Sequence, residues 1–301
     1  MQLFNSQNNL LFSLNEVSFV FEKEIKILFE LNLPLLTEYQ FVASEFIIKS
    51  NRIDTLAFDL ESNAFVIIEY KRDRNYSVVD QGYTYLSLLL EYKANFLVEY
   101  NERLNQNLRM KDIDWTQTKI LFVAPSFSDN QKQAANFKDL PIELWEIKKF
   151  QNDIVVINPV KKSKAAPSIR EIKAKNNSDV DKVSKELIVY TESSHVKNCS
   201  DQIRELYDAY KLAILNLDND IEIIAKKLYI AFKKKRNIVD IVVLKNSLKV
   251  FINMSSGTLD DPKGLMRNVS SIGHWGNGDY EVSICDTKHI EYIMFLIKQA
   301  I

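Results

Sequence analysis

Residues 52–85 read RIDTLAFDLESNAFVIIEYKRDRNYSVVDQGYTY. The opening RIDTLAFDL alternates as a half-buried strand does, with a carboxylate, Asp54, near its start. A polar turn, Glu61-Ser62-Asn63, leads into AFVIIEYKR, dense in β-branched and aromatic residues, which predicts a second strand ending in Glu69-Tyr70-Lys71. Side chains alternate faces along a strand, so Glu69 and Lys71 point one way and Tyr70 the other. A hairpin brings Asp54 beside them. Two carboxylates and an ammonium converging at strand ends suit a hard divalent cation and a scissile phosphate. Carboxylate oxygens hold Mg²⁺, the cation polarises phosphate and acidifies its water, and the lysine steadies the nucleophile or the developing charge.

From Ser77 the chain reads as a helix, with Gln81 and Tyr85 four apart on one face. Asp54, then Glu69-x-Lys71, then Gln81-x-x-x-Tyr85 resembles the metal-dependent PD-(D/E)XK nuclease superfamily, in the branch that adds a glutamine-tyrosine motif. The phrases RIDTLAFD, VIIEYKR and QGYTYL are similar to a bacterial family of NucS-like endonuclease domains, often labelled predicted transport proteins, and the likeness extends more weakly over most of the chain. Ile53 stands where the superfamily commonly has proline, a departure that leaves Asp54 in place. The resemblance implies a restriction-endonuclease-like fold and phosphodiester hydrolysis in DNA. It implies Mg²⁺ or Mn²⁺ on Asp54, Glu69 and the backbone carbonyl of Tyr70, with Lys71, Gln81 and Tyr85 completing the catalytic set. It also places an acidic residue on a leading helix, here Glu24.

A chain of 301 residues, 46% of them hydrophobic, can bury one large core or two ordinary ones. Its formal charge of −1 does not mark a strongly nucleic-acid-loving surface. Cys199 and Cys285 lie far apart and match no metal spacing, which points to a reduced, cytoplasmic protein. No apolar run reaches membrane-spanning length and MQLFNSQNN has no signal-peptide pattern, so a transport label finds no physical support.

Taken in order, EVSFVFEKEIKILFEL has apolar residues at helical spacing and ends at Asn32-Leu33-Pro34. Glu24 on it either faces the metal or decorates a solvated face with Lys23 and Lys26. TEYQFVASEFII is a strand, and its Glu45 is an alternative third carboxylate. One long helix is expected from about Val78 to Leu104, with Tyr85 on its apolar stripe, where an aromatic serves a core as readily as a site. KILFVAPSF, IELWEIKKF and DIVVINPV read as strands, with DNQKQAANFK a short helix between the first two. The expected fold is a mixed α/β sheet flanked by helices.

Charge changes sharply after residue 160. Residues 1–160 carry 16 Lys and Arg against 22 Asp and Glu, a net of −6, and residues 161–182 carry 7 against 3, a net of +4. That basic, Pro- and Ser-bearing segment reads as a linker, either a solvated tether or an arm along a phosphate backbone. The expected organisation is therefore a nuclease-like domain over 1–160, a basic linker over 161–182, and a smaller α+β domain over 183–301. In the last, DQIRELYDAYKLAILNL is an amphipathic helix, NIVDIVVLK and NSLKVFINMS are antiparallel strands, LYIAF is a third, and TKHIEYIMFLIKQAI closes as a helix. Five of the six glycines fall between Gly257 and Gly278, marking loops with unusual backbone angles. His274-Trp275 on that Gly-rich loop resembles the signature of an uncharacterised small α/β domain that follows NucS-like domains. The pair either stacks a base or plugs the core.

Two functional classes compete at this stage. One is a Mg²⁺-dependent endonuclease acting on nucleic acid, DNA in the first place. The other is a binding module with a non-cleaving nuclease fold, the targeting part of a defence or repair system. The complete Asp-Glu-Lys set favours the enzyme. The acidic first domain argues mildly against wide duplex contact, which a homodimer presenting basic residues from two chains would offset.

Overall fold

The computed structural model describes residues 2–72, 77–163, 165–168, 188, 190–273 and 276–301. It divides into two compact units, Met1–Ile188 and Val189–Ile301.

The first unit begins with a hairpin, β1 (Leu3–Gln7) and β2 (Leu10–Leu14), that forms a two-stranded sheet of its own. A short β3 (Glu16–Val17) follows, then α1 (Glu22–Leu31) and α2 (Leu33–Thr37). The expected leading helix thus starts six residues later than its apolar spacing suggests. Glu16 and Val17 instead pair with Phe150 and Lys149 at a sheet edge. Then come β4 (Gln40–Ile48), β5 (Asn51–Asp59), β6 (Ala64–Tyr70), α3 (Val78–Glu91), α4 (Lys93–Leu104), β7 (Lys119–Ala124), α5 (Asp129–Ala135), β8 (Ile142–Phe150) and β9 (Ile154–Pro159).

Seven strands make one mixed sheet in the order β3-β8-β7-β6-β5-β4, with β9 also pairing β8. β4, β5 and β6 run antiparallel, as tight turns permit, while β6, β7 and β8 are parallel neighbours joined by helical crossovers. Alternation along β5 and β6 sorts the two faces. Leu56, Phe58, Phe65 and Ile67 pack under α3 and α4, and Ala57, Val66, Ile68 and Tyr70 pack under Ile25, Phe29 and Leu33. Both faces are covered, which is why these strands read as near-continuous apolar runs.

The long helix expected over 78–104 is two helices. Tyr92, at φ −109 and ψ 35, breaks the run, yet its N–H still donates to Leu88 O and its carbonyl accepts from Asn95 N. No proline or glycine announces the break. Ser77 caps α3 by accepting from Asp80 N. Gly82 lets α3 close on the sheet, since a Cβ there would lie 2.4 Å from Ile142 Cδ1 and 3.4 Å from Phe122.

The segment expected as a linker is held by the first unit where it begins. Val160 N donates to Leu144 O, Ser163 N to Asn136 Oδ1, and Lys138 N to Pro167 O, while Ala166 and Ser168 are buried. These groups of the expected linker find partners on the sheet unit. Most of the remainder, 169–182, lies outside the described residues.

The second unit runs α6 (Glu192–Val196), α7 (Asp201–Leu215), β10 (Glu222–Ala225), β11 (Ile230–Lys233), β12 (Asn237–Val243), β13 (Leu248–Ile252), β14 (Arg267–Asn268), β15 (Tyr280–Ile284) and α8 (Ile290–Lys298). Its six strands form an antiparallel sheet, β10-β11-β12-β13-β15-β14, with α7 and α8 over one face. On the other face the Gly-rich loop comes down onto β13. A Cβ on Gly276 would lie 2.5 Å from the Phe251 ring, and one on Gly278, at φ +80, would lie 2.1 Å from Ile252 O. That close approach is why glycine is needed there. Fully buried Asp240 anchors the loop by accepting from Asn277 N at 2.6 Å. His274 and Trp275 lie outside the described residues.

Candidate active site

The turn at Glu61-Ser62-Asn63 sets the register, whose last pair is Thr55↔Ile68; Asp54 and Glu69 are the next residue on each strand. Directly opposed residues of an antiparallel pair share a face. Both carboxylates therefore lie on the α3 side at the strand ends, as alternation and the hairpin require. The Tyr70 amide, on the next residue of β6, donates to Asp54 Oδ2 at 3.1 Å and ties the strands together there.

Past the end of β6, Lys71 N donates to Val123 O at 2.9 Å, and this extension of the ladder holds the lysine backbone in place. Its ammonium lies 2.9 Å from Glu69 Oε1. The first turn of α3 supplies Gln81, whose Nε2 donates to the same Oε1 at 3.0 Å and to the Tyr85 hydroxyl at 3.1 Å. The Tyr85 ring is buried in the core under α3, and its hydroxyl reaches Arg52 O at 3.3 Å. Tyr85 thus serves the core and the site together.

Glu69 is buried, with Oε1 accepting from both Lys71 and Gln81, and among the described residues Oε2 is buried without a hydrogen-bond partner. An unpaired buried carboxylate oxygen is costly. Burial raises the Glu69 carboxyl above its ordinary range, the Asp54 charge adds to this, and Lys71 opposes it. Asp54 is likewise raised, chiefly by burial, against the Tyr70 N–H and Lys71, with the Glu22 charge pushing it further up. Two neighbouring acids raised by burial, Glu69 further by the Asp54 charge and Asp54 by that of Glu22, lack positive charge. A divalent cation fits that deficit. The donors are all oxygen, as Mg²⁺ or Mn²⁺ prefers, and two protein carboxylates leave room for the waters such ions retain. Among the described residues no group of three or more His, Cys, Asp or Glu is arranged to hold a metal.

The two acids at the start of the leading helix are placed differently. Glu24 Oε2 lies 3.4 Å from Val20 N, where it serves the start of its own helix. Glu22 is the α1 acid whose charge acts on Asp54. Its Oε1 also accepts from Arg72 N at 3.0 Å, while Arg72 donates to Val20 O, so the residue after Lys71 is tied to the start of α1. Glu45 is not at the site. It is ion-paired to Lys26 at 2.5 Å and Arg52 at 3.3 Å on an exposed stretch of β4.

Behind the site, on the opposite face of the sheet, Thr55 Oγ1 donates to Glu30 Oε1 at 2.5 Å and lies 3.2 Å from the Tyr70 hydroxyl. This chain pins the side chain of the residue between Glu69 and Lys71. Neither Glu30 nor Thr55 carried a motif.

Residues 192–300 match the family model described as a domain of unknown function, DUF5655. The whole chain is 56% identical over 301 residues to an uncharacterized protein of Haemophilus influenzae (strain ATCC 51907 / DSM 11121 / KW20 / Rd), covering 99% of that relative. Among solved structures, 45% of the chain is similar to an EndoMS–dsDNA complex at 18% identity and a TM-score of 0.30. Another 42% match, at 20% identity and a TM-score of 0.24, is to a repair endonuclease from Pyrococcus abyssi. The chain spans about half the length of these two structures, 50% and 48%.

Proposed function

The chain belongs, over its whole length, to one family with the uncharacterized Haemophilus influenzae protein, and from the chemistry of its own site we propose that it is a metal-dependent nuclease hydrolysing phosphodiester bonds in DNA. The observation that carries this reading is the state of Glu69. One of its oxygens is held by Lys71 and Gln81, and the other is buried without a hydrogen-bond partner among the described residues. A binding surface has no physical need for a buried carboxylate set beside a second, half-buried one.

Asp54 and Glu69, with the Tyr70 carbonyl, would hold Mg²⁺ or Mn²⁺. Glu22 is close enough to add a negative charge but not required as a ligand. The bound ion would polarise the scissile phosphate and lower the pKa of its water. Lys71 orients the attacking water and meets the charge that grows on the phosphoryl oxygens. Water adds to phosphorus and gives up a proton to solvent, a P–O ester bond breaks, and the leaving oxygen takes a proton from solvent. Gln81 fixes the Glu69 carboxylate against rotation, and Tyr85 fixes Gln81.

The test is incubation of purified protein with single-stranded, duplex and branched DNA, with Mg²⁺ or Mn²⁺, beside the Lys71→Ala variant. Wild type is expected to cut. The variant is expected to lose on the order of a hundredfold or more in rate, as for removal of a preorganised charge, with DNA affinity kept within a few-fold. If wild type cuts no nucleic acid and Lys71→Ala weakens binding instead, the nuclease reading fails. The fold is then a binding module that targets a defence or repair system.

A further inference from the structure

The hairpin β1–β2 lies outside the large sheet and is the most apolar exposed element of the first unit. Leu10, Leu11 and Phe12 are 63%, 67% and 51% exposed. A lone two-stranded hairpin is marginal in water. Its geometry is nevertheless well defined: five pairs in unbroken register from Leu3↔Leu14 to Gln7↔Leu10, closed by Asn8 and Asn9 at φ +51 and +64. Both turn residues at positive φ make the two-residue type I′ connection.

That turn sets the phase of the hydrogen bonds. Gln7 and Leu10 flank it as a bonded pair, so Asn5↔Phe12 is bonded as well, and Leu11 and Ser13 direct their N–H and C=O groups away from β1. Proteins guard such edges with charge, proline or a bulge. The chain guards β4, the edge of its own large sheet, in this way, with a register shift at Phe41/Ala43 and an ion-paired Glu45 at φ +54. The β2 edge has none of these, and residues 1–15 contain no Lys, Arg, Asp, Glu or Pro. A neutral edge offers nothing to a phosphate backbone.

The edge does match itself. Antiparallel pairing of β2 with β2 of a second copy, about a twofold through Phe12, sets Leu11 against Ser13 and Leu10 against Leu14. Phe12 then meets Phe12. The outward N–H and C=O groups of Leu11 and Ser13 close hydrogen bonds between the copies. Leu10, Phe12 and Leu14 of both copies share one face. We propose that β2 is a self-association edge, and that two copies of this chain join through it into a four-stranded sheet. This does not depend on the nuclease reading.

The experiment is sedimentation of the full chain at micromolar concentration, wild type beside Phe12→Lys and Phe4→Lys. Phe12→Lys sets like charges directly opposite one another at the twofold and is expected to raise the dimer dissociation constant at least a hundredfold. Phe4→Lys, on the outer strand, should leave it within a few-fold. In a Cys199→Ser/Cys285→Ser background, Phe12→Cys should crosslink to its symmetry mate under mild oxidation, because non-bonded opposed pairs lie within disulfide reach. Phe4→Cys should not. A monomeric wild type, a dimer indifferent to Phe12→Lys, or equal crosslinking through Phe4→Cys would each overturn the proposal. The crosslink reads the edge even if Phe12→Lys misfolds.

Discussion

Replacing Asp54 by Asn keeps an oxygen to accept from Tyr70 N, now 3.1 Å from Asp54 Oδ2, and removes one of two charges raised by burial. In metal-free protein the sign follows from linkage. A carboxyl whose folded pKa lies above its unfolded value contributes stability at low pH, and that contribution is lost as pH rises through the folded pKa. Asp54 and Glu69 are both of this kind. The metal-free first unit should therefore lose stability as pH climbs through the carboxylate range and beyond, and Asp54→Asn should lose less. At neutral pH the variant should melt no lower than wild type. Added Mn²⁺ reverses the order. A site saturated at a hundred times its dissociation constant gains about 2.7 kcal/mol, and a unit of this size shifts by roughly 2–4 °C per kcal/mol. Wild type should thus gain about 5–11 °C in the transition of the first unit, and Asp54→Asn close to none. Calorimetric melts with and without Mn²⁺, at a pH above and a pH below the carboxylate range, read all of this. Equal shifts in the two proteins, or no shift in wild type at any metal concentration, would refute the two-carboxylate site.

Gln81→Ala removes the amide that holds Glu69 Oε1 and the Tyr85 hydroxyl. It should chiefly raise KM in steady-state cleavage, and an equal loss in kcat and kcat/KM would assign it to the chemical step instead. Thr55→Val leaves the Glu30 carboxylate and the Tyr70 hydroxyl without their shared partner. It should cost about 1–3 kcal/mol in denaturant unfolding, recovered by Thr55→Ser. The units should be separable, with the cut placed after Ser168 rather than Val160, since Ala166 and Ser168 are buried against the first unit. Fragments 1–168 and 190–301 should each melt cooperatively, and an insoluble half would contradict independent folding.

The central hairpin was legible because its determinants are local. The period of two in RIDTLAFDL and AFVIIEYKR, with a polar turn between, is enough to set Asp54 opposite Glu69 and Lys71 beside it. The i, i+4 spacing of Gln81 and Tyr85 likewise survives into the Gln81–Tyr85 hydrogen bond. The hairpin at the start of the chain was not legible, because Leu10, Leu11 and Phe12 run consecutively and face solvent, with no period of two to report.

The choice of acid on the leading helix was not legible. Glu22 and Glu24 are equivalent in pattern, and which one turns toward Asp54 depends on where α1 begins. That start is decided by β8, which draws Glu16 and Val17 into its ladder. The break at Tyr92 and the beginning of any tether after Ser168 are of the same kind, set by what the segment packs against. From the sequence alone came the elements whose geometry is contained within a few residues: two strands, a turn, a helix face and the acids and lysine they align. Only the tertiary structure could select among residues of equal pattern, because burial of Glu69 Oε2, the charge of Glu22 on Asp54 and the Glu30–Thr55–Tyr70 chain depend on elements far apart in sequence meeting in space.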